Sequence, residues 1–408
     1  MHVHEILKLA AEKKATDLHL KVGSHPVVRV DGQLQPLVEL RRLQAEDTIA
    51  SAFSLMSVRQ REKFKKLREI DLSYSVPGQG RFRVHVFHQR GSVGLAFRVV
   101  PVQVPKVTDL ELPPVLETIA DEQSGLILCT GPRASGKSTV LAALVEHVNA
   151  SRSVHVVTLE DPIEILHRDK KALVNQREVG VDTESFAAGL RSALRLDPDV
   201  VLVGELPDPD SIETALAAAE NGHLVLSALP TLDAVESIDR LVGAFAEGRQ
   251  AQVRVQLASV LRAVISLRMV PCSDGVGRVP AVEILRSTPY LRECIESVDK
   301  HRQIPDLIVA GGPEHGMQSF DQSLLELFEK GRISREEAER RLSRPDLVRR
   351  MPSVPATPPP ASQAPVTPAA PTAPATTLPT RSENSGGGPP TLPTPPEADG
   401  AQDIGDHF

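Results

Sequence analysis

Apolar and polar residues alternate through the first hundred positions, in DLHLKV, VVRVDGQLQPL, DLSYSV, RFRVHVFHQ and SVGLAFRVV, with Gly and Pro at the breaks. A period of two bounded by turn residues predicts short antiparallel strands with one buried face. Helical spacing predicts one helix over Val3 to Lys14 and another over Ala45 to Lys66. The segment VPKVTDLELPP, with three prolines, reads as a linker. Beyond it the pattern changes to continuous apolar runs separated by helical periodicity. GLILCTG precedes a helix from Lys137 to Ala150, SVHVVTLE one from Ser185 to Leu196, DVVLVGE one from Ser211 to Glu220, and HLVLSAL one from Ala234 to Val242. Uninterrupted apolar strands between helices are expected of a parallel sheet covered on both faces. Helical patterns then dominate Ala251 to Met269 and Gln322 to Leu342. The expected organisation is an α+β domain over 1–104, a linker over 105–115, an α/β core over 116–290, a helical region over 291–350 and a tail over 351–408.

Composition refines this picture at the tail and in the choice of partner. From Met351 the chain is rich in Pro, Ala and Thr, with almost no large apolar residue. Such a stretch buries too little surface to offset its ordering entropy, so disorder is expected. It carries five acids and one base of a chain whose net charge is −7, so the preceding body is at about −3. A body so near neutral has no broad basic surface, which argues against nucleic acid as a partner. The three cysteines (Cys129, Cys272, Cys294) are far apart, with no C-x-x-C pair, which argues against a zinc site or a disulfide framework. The opening MHVHEILKLAAEKKATD is too charged for a signal peptide, and no apolar run reaches about 18 residues. A cytoplasmic location is therefore expected.

The chemistry concentrates at Gly131-Pro132-Arg133-Ala134-Ser135-Gly136-Lys137-Ser138-Thr139, which satisfies G-x-x-x-x-G-K-[ST] between an apolar strand and a helix. Backbone amides of such a loop cradle phosphates, Lys137 reaches the terminal phosphates of ATP, and the Ser138 hydroxyl ligates Mg²⁺. The helix that starts at Lys137 adds its positive end. Ala134 stands where many such loops have glycine, and a positive φ there would cost roughly 1 kcal/mol. Hydrolysis also needs carboxylates near water and metal. Two acidic segments end apolar strands in the right order, Thr158-Leu159-Glu160-Asp161-Pro162-Ile163-Glu164 and Asp197 through Gly204-Glu205. Strand ends are where ligands bind in an open α/β sheet.

The segments TLEDPIE, NQREVG, LRSALRLDPDVVLVGE and NGHLVLSAL resemble, in order and spacing, the Asp box, Walker B and His box of the ATPases that drive type II secretion and type IV pili. ATDLHLKVGSHPVVRVDG, RFRVHVFHQRG and GMQSFDQSLLELFEKGRIS narrow the likeness to the PilT/PilU-like retraction branch. The likeness covers roughly residues 1 to 350. The longer amino-terminal region and tetracysteine metal site common in the extension and type II secretion branches find no counterpart in this sequence. The resemblance implies a RecA-like ATPase core with a smaller PAS-like amino-terminal domain, and a cytoplasmic hexamer acting on an inner-membrane platform protein, alone or with a paralogous ATPase. It implies water activation or metal positioning for Glu160 and Glu164, a Walker B role for Glu205 and a His-box role for His223. It further implies that Arg81, Arg83 and Arg98 are the candidate arginines toward nucleotide.

The sequence also departs from the family. Gly204-Glu205-Leu206-Pro207-Asp208 stands where the family reads GE-M-R-D. Ala228-Leu229-Pro230-Thr231 replaces T-L-H-T, and Leu267 stands where glutamine is usual. Proline has no side-chain or backbone donor, so Pro207 and Pro230 remove polar groups outright. Nucleotide binding is expected to survive, with hydrolysis slow or dependent on a partner ATPase. The alternative is a nucleotide-binding paralogue that regulates a retraction motor.

Overall fold

The computed structural model describes residues 3–30, 32–76, 80–100, 104–344 and 347. The tail expected to be disordered lies outside the described residues. The first sheet is antiparallel and holds β1 (Asp17–Leu20), β2 (Val27–Val30), β3 (Gln33–Pro36), β4 (Glu69–Val76), β5 (Gly80–Gln89) and β6 (Ser92–Val100). Their order is β3-β2-β1-β6-β5-β4. Alternation does what period two requires: Phe82, Val84 and Val86 of β5 are buried, and helix residues Ile6 and Leu7 pack into the same core. Each such side chain contributes about 1.5–3 kcal/mol.

The second sheet holds β7 (Gly125–Thr130), β8 (His155–Glu160), β9 (Leu173–Glu178), β10 (Val200–Val203), β11 (Leu224–Leu229), β12 (Leu261–Pro271) and β13 (Arg278–Arg286). Its order is β13-β12-β7-β11-β10-β8-β9. Neighbours are parallel throughout except for the antiparallel β12–β13 pair. Strands β7, β10 and β11 are buried at every position, with apolar cores on both faces. The strand carrying Glu205 at its end, β10, is separated from β7 by β11, so a phosphate loop after β7 and a carboxylate after β10 flank a common cleft. This is the RecA-like arrangement of a P-loop core. The segment read as a linker docks on this layer through buried Val107 and Leu112.

Two sequence readings are corrected. Ala45 to Lys66 is not one helix but two, Ala45–Leu55 and Val58–Leu67. Ser57 breaks it, accepting from the Gln60 amide while its own amide donates to Gln60 Oε1, a reciprocal cap that outcompetes helix continuation. Ala251 to Met269 is not helical throughout. The helix Glu247–Val260 ends, and β12 begins at Leu261. The run LRAVISLRMV is apolar at seven of its ten positions, with the polar ones at no strict spacing of two, so its period is ambiguous, and pairing on both sides decides for strand. Strands β9 and β13 were likewise not legible as strands.

The layer also contains a half-buried acid, Glu283, whose titration can be read. Glu283 on β13 accepts from the Ala234 amide at 3.0 Å, near Arg268, whose guanidinium lies 3.8 Å from the Phe320 ring centroid. Burial pushes the Glu283 carboxyl up to about 7, with Asp233 adding to the rise and the Ala234 amide and Arg268 opposing it. The folded state therefore holds this proton more tightly than the unfolded chain. Its stabilisation is complete below the ordinary value of 4.5 and is lost as pH rises through about 7. Thermal unfolding of the wild type should weaken by about 2 kcal/mol between pH 5 and pH 8 through this group, and Glu283→Gln should remove that part of the slope.

Candidate functional site

The phosphate loop runs from Gly131 at the end of β7 into the helix Lys137–Ser151. Gly131 has φ 146° and Gly136 φ 95°. Ala134 has φ 60°, so the strained residue anticipated from the sequence is present. Lys137 Nζ donates to the carbonyls of Gly131 at 2.8 Å and Pro132 at 2.9 Å, curling the side chain over the loop. Burial pushes the Lys137 ammonium below its ordinary pKa, while the charges of Glu205 and Glu164, among others, pull it back up. Both carboxylates therefore lie within electrostatic reach of the lysine. Ser135 Oγ is buried in the loop with no partner among the described residues. Behind the loop, the fully buried Cys129 thiol is pushed up to about 12 by burial, which keeps it unreactive.

A cavity of about 90 Å³ brings the predicted acids together: Ser138, Glu160, Glu164 and Glu205 line it, with Asp161, His167 and Phe186 among the other walls. Glu160 sits at the end of β8, where Oε1 accepts from Thr158 Oγ1 at 2.6 Å and Gln176 Nε2 at 3.0 Å. Burial raises its pKa, opposed by those hydrogen bonds. Glu164 and Glu205 are exposed to the cavity mouth. Gln176 is a residue the sequence reading missed. Besides Glu160 it holds the Ile165 carbonyl and accepts from the His167 amide at 2.8 Å, fixing the loop between them. The base of that loop is tied by buried Glu146, which pairs with Lys170, and by Asn149, which accepts from the Lys170 amide.

The remaining candidates are not gathered at this cavity. His223 lies just before β11, beside Gly125, whose amide donates to its carbonyl, and its ring Nδ1 faces the Pro198 carbonyl at 2.7 Å. The loop end of the same strand is Leu229, paired with Thr130. Six strand residues place His223 roughly 20 Å from the phosphate loop, so its inclusion among the catalytic candidates is corrected for a single chain. At the loop end stands exposed Pro230. Arg98 is committed to Asp17 at 3.1 Å. Arg81 is committed to buried Glu178 at 2.7 Å. Arg83 is exposed in a cleft beside Asp161, whose raised pKa, caused first by burial, it moderates.

A second cavity, of about 280 Å³, opens on the other side of the loop against Gly136, Thr139 and Val140, walled by Leu110, Met269, Arg278 and Arg332. No motif marks it, because its walls come from the linker, β12, β13 and Arg332, three residues past the helix Phe320–Glu329, positions distant in sequence. No helix among the described residues is long and apolar enough to cross a membrane.

Residues 1–303 match the family model described as type II/IV secretion system protein. The chain is 43% identical over 346 residues to the type IV pilus retraction ATPase PilT of Pseudomonas aeruginosa, covering 85% of this chain and 99% of that protein. It is 35% identical over 338 residues to the type IV pilus ATPase PilU of the same organism, covering 83% of this chain and 88% of that one. Its fold superposes on the crystal structure of the pilus retraction motor PilT with bound ADP with a TM-score of 0.76 and 42% identity, covering 86% of this chain and 100% of the other.

Proposed function

This chain belongs to the type II/IV secretion system protein family, and from that premise we propose that it is an ATP-hydrolysing motor that retracts type IV pili. The observation that carries this reading is the single cavity joining Ser138 of the phosphate loop to Glu160, Glu164 and Glu205, with Lys137 in reach of the last two. In this reading Lys137 and the loop amides hold the β- and γ-phosphates of ATP. Glu205 and Glu164 orient water and metal, and Glu160, whose carboxyl burial pushes above its ordinary pKa, sits behind them as a proton acceptor or relay. The second cavity has the apolar and cationic walls that suit a nucleoside.

The donor set fits Mg²⁺, since the Ser138 hydroxyl and nearby carboxylates are hard oxygen donors. When bound, the ion neutralises charge on the β- and γ-phosphate oxygens. The same reading divides the chain into an amino-terminal domain over 1–104, a linker over 105–115, an ATPase core over 116–290 and a helical region over 291–350. It places the chain in a homo-hexamer, alone or mixed with a paralogous ATPase, at an inner-membrane platform protein.

A second reading is favoured by Pro207 and Pro230, which stand where the family's GE-M-R-D and T-L-H-T segments carry an arginine and a histidine. There the chain binds ATP and regulates an active motor instead of driving retraction itself. The test is in the cell. Expressing Glu205→Gln in place of the natural chain should leave pili assembled on the surface and abolish surface motility. Unchanged motility would overturn the motor reading.

A further inference from the structure

One carboxylate oxygen joins the two sheets. Glu178 ends β9 and stands in register with Glu160 across the parallel β8–β9 pair. Its Oε2 accepts from Ser73 Oγ of β4 at 2.7 Å, Arg81 Nη2 of β5 at 2.7 Å, and the Ile163 amide at 3.2 Å. Ile163 is buried in the loop between Glu160 and Glu164, immediately before Glu164. Among the described residues, the two side-chain hydrogen bonds that run from the first sheet to the second both end on this atom. Glu178 is only 4% exposed, so its charge depends on these donors and not on water. Its backbone is held as well: the Glu178 amide donates to Asp182 Oδ2 at 2.8 Å, and the Val179 amide to the Glu160 carbonyl at 2.9 Å.

We propose that Glu178 is a positioning residue that couples the orientation of the first sheet to the loop carrying Glu160 and Glu164. The coupling follows from geometry. Ser73 and Arg81 sit on adjacent strands of one hairpin, so they move together. A rotation of that hairpin relative to β9 must either carry the Glu178 carboxylate with it or break two charge-assisted bonds. The Ile163 amide shares the same oxygen, so the loop shifts with the carboxylate. Arg81 acts here through Glu178, and Arg83, exposed beside Asp161, is the arginine of that strand left available to another partner. The cleft of about 660 Å³ between these elements gives the hairpin room to move.

This inference rests on the ATPase reading for its consequence and on the structure alone for its existence, and the experiment separates the two. Ser73→Ala and Arg81→Ala leave Glu178 and the loop untouched in sequence. Hydrogen–deuterium exchange on the full chain should show amides of the 160–167 loop exchanging about tenfold faster in each variant, whereas Arg29→Ala, on the far strands, should not change them. Acceleration confined to β4 and β5 would overturn the coupling, whatever the protein hydrolyses. In steady-state turnover, Glu178→Gln, Ser73→Ala and Arg81→Ala should each lower kcat about tenfold with KM for ATP within threefold. The Glu178→Gln/Arg81→Ala double variant should be no worse than the single ones, and Arg81→Lys, which keeps one donor, should recover most of the loss. Additive losses, or a rise in KM as the main effect, would overturn it in favour of direct phosphate contact by Arg81. An inactive wild type with loop exchange still coupled would sink the ATPase reading alone.

Discussion

Lys137→Ala should lose at least about 100-fold in ATP turnover, together with most nucleotide affinity, while the fold stays intact. Lys137 Nζ makes its hydrogen bonds to the Gly131 and Pro132 carbonyls, so its removal leaves no buried charge orphaned and should cost little stability. What it removes is the cation within electrostatic reach of Glu164 and Glu205. Without it, a polyanion entering the loop meets two carboxylates opposed only by amide dipoles and the exposed Arg133. Glu205→Gln should differ in kind. The exposed side chain keeps its shape and loses its charge, so nucleotide affinity should hold or rise while turnover falls by a similar factor. Equilibrium binding of a fluorescent ATP analogue beside a phosphate-release assay checks both. Equal loss of affinity in the two variants would contradict the division of roles.

The second large effect is at Gly131. It has φ 146°, a conformation side chains rarely adopt. A Cβ there would lie 2.6 Å from the Leu267 carbonyl oxygen and 2.5 Å from Ser135 Oγ. The serine hydroxyl can rotate, but the carbonyl is backbone of β12, paired with β7 and β13, and cannot retreat without loosening the sheet. Gly131→Ala should therefore destabilise the chain by about 2–4 kcal/mol and weaken nucleotide binding by more than about tenfold. Thermal unfolding and analogue binding check this. An alanine variant with native stability and affinity would mean that the loop is far softer than the close approach indicates.

Much of the site was legible because it is local. The phosphate loop is contiguous, its flanking strand and helix follow from periodicity, and Glu160 and Glu205 sit where apolar runs end. Even the strain at Ala134 could be read from the residue type. The parts that were not legible are made by tertiary contacts. Gln176 and Glu178 lie in NQREVG, which the resemblance flagged as a motif without saying what its side chains do. Their partners are Glu160, brought near by strand pairing, and Ser73 and Arg81, which belong to the other sheet. His223 looked catalytic from its segment, yet it stands before the first residue of β11, and strand direction puts it at the opposite edge from the loop. Arg81, Arg83 and Arg98 look alike in sequence but meet three different surroundings: a buried acid, an open cleft and Asp17. β12 was misread because a strand buried on both faces has no alternation to show, and its partners β7 and β13 are more than a few residues away. The Ser57 break, by contrast, was readable, since Ser57 and Gln60 have the spacing of a reciprocal cap.

The central claim is that this chain, despite Pro207 and Pro230, is itself a motor ATPase. The most direct measurement is steady-state hydrolysis of ATP by the purified full chain with Mg²⁺, beside Lys137→Ala. The expected result is turnover in the wild type that disappears in the variant. Tight ATP binding through Lys137 with no turnover would contradict the claim and leave a nucleotide-binding regulator.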